Sequence, residues 1–259
     1  MVKREHISYS ELKDWVLCPY YHKKSWIEKV APFEGNEYTA FGTAIHDVCE
    51  KKLLKEEIDE AEVFQIGFDK KLQELIEKNI EVNGTNIEAM RTAGPAILAE
   101  VEDALKDYFG DYEVFSSEEM LYVPIENFNI SFKGFVDAVV KVGDTYHLFD
   151  WKTCSWGWDS RRKTEKIVTY QLTLYKHFFC QKHNIDPKNV ETHFALLKRT
   201  AKKDRIEIFR VTSGPQKTEN ALKLLYQAIY NISKRVQIKN RLSCLKPYRC
   251  KLYKTEHCP

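Results

Sequence analysis

No apolar run in this 259-residue chain approaches the roughly 20 residues that a membrane-spanning helix requires, which excludes a helical membrane protein. The opening residues, MVKREHISYSEL, lack the apolar core of a secretory signal, so a cytoplasmic compartment is expected. There is no internal repeat, no low-complexity tract and no linker. There is also no GxxxxGK[ST] stretch, so the chain carries no phosphate-cradling motor of its own. The seven cysteines are an odd number, and in a reducing compartment they are not read as a disulfide framework.

The net charge of +2 conceals a marked asymmetry. Residues 161–259 carry 23 Lys+Arg against 7 Asp+Glu, whereas residues 1–160 carry 17 against 31. A basic half suggests a surface that faces a polyanion, although solvated helix faces give the same count.

The local patterns divide the chain into a helical part, about 1–110, a mixed core, about 111–240, and a cysteine-rich tail, 241–259. Ser8 and Glu11 are spaced as a capping box for a helix reaching about Cys18-Pro19. Helices are expected over Phe41 to about Leu54, roughly 60–80 and 87–109, the last two separated by the turn Asn83-Gly84. Stretches 112–125, 130–142 and 145–151 are rich in Val, Ile, Phe and Tyr and read as a β-meander. A helix from about Glu165 to His183, strands at about 190–199 and 204–212, and a last long helix opened by Ser213-Gly214-Pro215 complete the pattern. One α/β domain with an N-terminal helical insertion fits this order.

The segment GFVDAVVKVGDTYHLFDWKTCSWGWDSRRKTEKIVTYQLTLY, residues 134–175, concentrates the chemistry. Asp137 and Asp150 interrupt apolar strands, where a charge is costly unless it is used. Asp150 and Lys152 share one face of a strand because side chains alternate. Gln171 and Tyr175 share one face of a helix. Two carboxylates on neighbouring strands can hold a hard divalent ion such as Mg²⁺ or Mn²⁺, and an adjacent lysine can orient a water or stabilise developing negative charge. That is the chemistry of phosphodiester hydrolysis. Trp151 points to the other face, with its backbone carbonyl able to complete the coordination.

The set GxxD, DxK and QxxxY resembles the RecB-like branch of the PD-(D/E)XK nuclease superfamily, which includes the nuclease domains of RecB and AddB, CRISPR-associated RecB-like nucleases and phage exonucleases. The matched points run from residue 18 to residue 258. The resemblance implies a restriction-endonuclease-like central mixed sheet flanked by helices. It implies a metal held by His46 (in FGTAIHDVCE), Asp137, Asp150 and the Trp151 carbonyl. Lys152, Gln171 and Tyr175 would serve catalysis beside it, and DNA would be the substrate. Glu118 and Glu119 stand where relatives often carry a further acidic residue, and the sequence does not choose between them. An exonuclease acting on single strands or DNA ends is the first reading. A structure-specific endonuclease and a silent DNA-binding module are the alternatives. Such a chain acts alone or borrows a helicase or recombination partner, in a bacterial or phage-infected host.

Cys18 lies near one end of the chain and Cys244, Cys250 and Cys258 crowd the other. The resemblance implies a [4Fe–4S] cluster on these four, although the C-x5-C-x7-C spacing departs from the usual C-x-x-C start of the C-terminal group; a Zn²⁺ site or unliganded thiols stay open. Cys49, Cys154 and Cys180 lack this arrangement and are expected in or near the core. Trp156, Trp158, Arg161, Arg162 and Lys163, between the DxK strand and the QxxxY helix, combine stacking surfaces with phosphate-binding charge, which suits single-stranded DNA. Tyr20, Tyr21, His22, Lys23 and Lys24 form a weaker candidate of the same kind.

Overall fold

The structure, a computed structural model, describes residues 4–30, 34–245 and 250–258. In chain order its elements are β1 (His6–Ser8), α1 (Tyr9–Leu17), α2 (Pro19–His22), a π-helical turn over Lys23–Ile27, α3 (Glu37–Leu53), α4 (Glu60–Glu77), α5 (Gly84–Phe109), β2 (Glu113–Pro124), β3 (Ser131–Val142), β4 (Thr145–Cys154), α6 (Ser160–Thr164), α7 (Lys166–His183), β5 (Val190–Lys198), β6 (Ile206–Arg210) and α8 (Pro215–Ser233). The expected helices and strands are all present. Four short elements were not anticipated: β1, α2, the π turn and α6 are each too brief to show a period. No described helix is long and apolar enough to cross a membrane.

Local chemistry sets the borders. Ser8 caps α1 by accepting the Glu11 N–H, but Glu11 does not return the bond as a full capping box would; its buried carboxylate is taken by Arg4 and by His22 at 2.6 Å. Asn36 and Thr39 form a reciprocal capping box on α3, Asp59 caps α4 and Asn83 caps α5. Pro95 lies inside α5 and cannot donate to the Arg91 carbonyl four residues back; Gln65 of α4 donates to that carbonyl instead, at 3.0 Å.

The strands form one mixed sheet in the order β1-β3-β4-β5-β6, with β2 also on β3. β3 and β4 make an antiparallel hairpin through Gly143, whose φ of 57° suits glycine. β4 and β5 run parallel, joined through α6 and α7, and β6 returns antiparallel to β5. This is the expected mixed sheet flanked by helices.

By their contacts the residues group into two compact units. One comprises Met1–Phe33, Tyr122–Gly134 and Gly214–Pro259; the other comprises Glu34–Leu121 and Phe135–Ser213. In the second, one face of the sheet (Ala138, Val140, Phe149, Trp151, Ala195, Leu197) packs on α3, α4 and α5. Phe41, Phe64 and Phe68 meet there with centroids 5.6–5.9 Å apart. On the other face Phe194 and Leu196 pack with Leu172 of α7 and Trp158. β5 is therefore covered on both sides, which explains its unbroken run Phe194-Ala195-Leu196-Leu197. Gly94 of α5 lets Phe64 approach so closely that an added Cβ would sit 2.2 Å from the ring. Gly94→Ala is expected to cost about 1–3 kcal/mol in chemical unfolding, the usual penalty of overpacking; an unchanged midpoint would contradict this packing.

Candidate active site

The hairpin ladder between β3 and β4 is registered from Val142–Thr145 to Ala138–Phe149. One residue further, Asp137 bonds with its side chain where backbone pairing would otherwise continue: its Oδ2 accepts the Trp151 N–H at 2.7 Å. Asp150 sits opposite, 2 % exposed. Its Oδ1 accepts from Gln171 Nε2 at 2.6 Å, and Gln171 also reaches the Tyr175 hydroxyl at 3.4 Å, so the helical pair bridges α7 to the strand. Lys152 Nζ lies 2.6 Å from Asp150 Oδ2 but off the hydrogen-bond direction, which leaves that buried oxygen with an ion-pair contact and no hydrogen bond.

His46 comes from α3. Gly42, one turn earlier on the same helix face, leaves only 3.4 Å between an added Cβ and Thr153 Oγ1 of β4, so the helix lies close to the strand. His46 Nδ1 is thereby brought to 3.8 Å from Asp137 Oδ2. The structure thus brings together His46, Asp137, Asp150, Lys152, Gln171 and Tyr175, all in one unit.

Burial governs the charges here. It raises Asp137 and Asp150 to about 6, against the opposing pull of Lys152, and Asp137 raises Asp150 further. A third of the His46 side chain reaches solvent, yet the ring is deep enough among protein atoms that desolvation brings it down to about 4. It is therefore a neutral imidazole at pH 7. Burial also raises the Tyr175 phenol, which stays protonated.

Two acidic groups beyond the expected pair act on this centre. Glu118 raises both Asp137 and Glu50, and Glu50 in turn raises Asp137. The structure separates the two candidates of β2: Glu119 is held by Lys182 at 2.6 Å and His183 at 2.7 Å, whereas Glu118 acts on the site. Glu118 has a φ of 46°, uncommon for a non-glycine residue, and the inward alternation of β2 shifts by one residue at Ser116-Ser117. Such an irregularity re-aims a side chain. Glu50 had a legible signal, the i+4 position after His46; Glu118 had only its ambiguity with Glu119.

Asp137 and Asp150, with Glu118 and Glu50 acting on Asp137, outnumber Lys152 beside a neutral histidine, so negative charge is in surplus around Asp137. The oxygens of this centre, one without a hydrogen bond, and its neutral imidazole fit a divalent cation. The same shifts fix a pH dependence. Between about 4 and 6 the native carboxyls hold protons that the unfolded chain has already lost, so their own contribution to metal-free stability falls as pH rises through that window, against the opposite contribution of buried histidines such as His46. Asp150→Asn is expected to flatten this fall when thermal unfolding of the two proteins is compared at pH 5 and pH 7.5. Equal pH slopes would contradict the raised carboxyls.

The loop candidates divide. Trp156 is 70 % exposed and Arg161 and Arg162 face solvent. Trp158 is a correction to the expected stacking surface: it is buried against Phe194 and Phe209, with Arg162 stacked 4.7 Å above its ring. Lys163 is engaged by Glu207. His22 is likewise buried and cannot offer its ring to a base, while Lys23 and Lys24 pair with Glu28.

In the other unit, Cys18, Cys244, Cys250 and Cys258 line one pocket together with Tyr21 and Leu252. The Cys250 N–H donates to the Cys244 carbonyl at 2.8 Å, and the Asn240 N–H points at Cys18 Sγ at 3.3 Å. Burial raises the Cys250 thiol, and the three other thiols raise it further. Cys49 and Cys180 are buried and Cys154 is half-buried, all three in the unit that holds the carboxylate centre.

No curated protein sequence matches the chain. Among solved structures, a protein from Eubacterium rectale provisionally called an exonuclease shares the fold at TM-score 0.57 and 14% identity, over 96% of this chain and 86% of that one. A structure known as SSO0001 aligns at TM-score 0.39 and 12% identity, over 89% and 78% of the two chains. The family model of the PD-(D/E)XK nuclease superfamily matches residues 6–259, essentially the whole chain, and the protein belongs to that superfamily.

Proposed function

We propose that the chain is a metal-dependent DNA exonuclease that acts on single strands or DNA ends. The observation that carries this reading is the convergence of Asp137, Asp150 and Lys152 at the open end of the β3–β4 hairpin, with His46 facing them. His46, Asp137, Asp150 and the Trp151 carbonyl would hold Mg²⁺ or Mn²⁺. When bound, the ion neutralises the phosphate and makes a water more acidic. Lys152 positions that water against the phosphorus and stabilises charge as the bond to the leaving oxygen breaks. Gln171 fixes the carboxylate of Asp150 and faces the strand being cut, while the Tyr175 hydroxyl, buried by the fold, braces Gln171. Trp156, Arg161 and Arg162 offer a stacking surface and phosphate contacts, with Trp158 as the platform beneath Arg162. The name carried by the Eubacterium rectale neighbour supports the exonuclease reading.

The four cysteines would hold a [4Fe–4S] cluster with a structural role, tying residue 18 to the segment 244–258.

End-labelled single- and double-stranded DNA, incubated with Mg²⁺ or Mn²⁺ and protein purified without oxygen, tests the activity. Loss of full-length strand with release of short products is expected, and a covalently closed single-stranded circle should survive. An opened circle would replace the exonuclease reading by an endonuclease. Tight binding without cleavage in any divalent ion would leave a silent DNA-binding module.

A further inference from the structure

A second cluster of metal-ligating side chains lies on the opposite face of the sheet from the carboxylate centre. His147 of β4 is an odd number of residues before Asp150, so the two point to opposite faces, separated by about 10 Å of strand. Across the parallel ladder His147 pairs with Glu191 of β5, and His193 follows two residues on, on the same face. His147 Nδ1 lies 3.1 Å from His193 Nε2, and Glu191 Oε2 lies 3.8 and 3.9 Å from these two nitrogens. One point in the plane of the three atoms is about 2.1 Å from each, the distance at which imidazole nitrogen and carboxylate oxygen bind zinc. Among the described residues, no other group of three His, Cys, Asp or Glu side chains comes together so closely.

The surroundings hold these ligands in place. The Tyr108 hydroxyl of α5 lies 3.2 Å from His193 Nδ1, which fixes the ring with Nε2 turned towards the cluster. Phe109 packs on both imidazoles, with centroids at 5.1 and 5.3 Å. Arg210 of β6 binds the other oxygen of Glu191 at 2.8 Å and orients the carboxylate. Burial keeps both imidazoles in their neutral, ligating form. Arg210 and the half-buried Lys176 of α7 are cations near Glu191, which weakens the site for hard ions held by charge alone. Two imidazoles instead select a late first-row ion, whose bonds to nitrogen are more covalent.

We propose that His147, Glu191 and His193 form a second metal site, for a late first-row divalent ion of the Zn²⁺ class, independent of the nuclease centre. Its fourth position faces the partly exposed rim of Glu191 and His147, where water can enter. The ion pins the start of β4 to β5 beneath the end of α5, and its role is structural.

The test uses the full chain carrying Asp150→Ala, which removes the carboxylate centre as a competitor. Zn²⁺ titration by calorimetry and thermal unfolding with and without Zn²⁺ are compared between this parent and parents that also carry His147→Gln or Glu191→Gln. Both added changes are at partly exposed side chains, and circular dichroism checks the fold. The parent is expected to bind one Zn²⁺ equivalent more than either variant, with micromolar or tighter affinity, and to gain several degrees in Tm that the variants do not gain. In the otherwise wild-type chain, with Asp150 retained, each change made alone leaves Mg²⁺-dependent DNA cleavage at the wild-type rate. Equal stoichiometry in parent and variants, or binding weaker than millimolar, overturns the site.

Discussion

Asp150→Ala abolishes DNA cleavage, at least about a thousandfold below wild type, while the metal-free protein at pH 7.5 stays as stable as wild type or becomes more so. The two halves of this expectation have one cause. Asp150 is almost fully buried, and burial raises its carboxyl to about 6, so at neutral pH the ionised group is held at a cost. Removing it relieves that cost and leaves Gln171 and Lys152 without their common partner. It also takes away the inner oxygen ligand of the proposed ion. Lys152→Ala is expected to lose a hundred- to a thousandfold, the usual effect of deleting one group that stabilises transition-state charge. It should keep metal binding, which Asp150→Ala loses; Mn²⁺ titration therefore separates the two roles. Full activity in either purified variant would refute the assignment of the centre.

Cys258→Ser is expected to remove the iron and the broad visible absorbance of the protein purified without oxygen, and to lower its Tm by several degrees. Cys258 is the most buried of the four thiols and its backbone closes a tight turn on Thr255. Losing a metal group that ties distant segments together costs folding free energy directly. Cys18→Ser, Cys244→Ser and Cys250→Ser should behave alike, because each thiol lines the same pocket. Cys154→Ser, at the half-buried end of β4, serves as the control that keeps its iron. Full iron content in the Cys18 and Cys258 variants would rule out the cluster.

The elements that could be read from the sequence are those whose pattern is long or chemically marked. α3, α5 and α7 repeat apolar residues over many turns, and the β3–β4 hairpin announces itself by Gly143-Asp144 between apolar strands. Asp137 and Asp150 were legible because a charge inside an apolar strand calls for a reason. The three-residue β1 was not, since its place depends on pairing with Ser131–Lys133, which lie more than a hundred residues on. Nor was the fate of Glu118 and Glu119. Which carboxylate raises Asp137 electrostatically and which meets Lys182 is decided by a local backbone irregularity in β2 that no residue type there demands. Trp158 shows the same limit: next to exposed Trp156 and Arg161 it has the same composition around it, and only Phe194 and Phe209, brought in by β5 and β6, make it a core residue.

The way the two units are threaded has a consequence for how the protein is made. Every residue of the carboxylate centre lies between His46 and Tyr175, and the unit that holds it is complete at Ser213. The cysteine pocket draws on residues 18 and 258, and cannot close until the last of these has left the ribosome. If the four thiols take up the proposed cluster, iron loading would be a late event of synthesis. A cell short of iron would then accumulate chains that lack only the proposed cluster, the last part of the molecule to assemble.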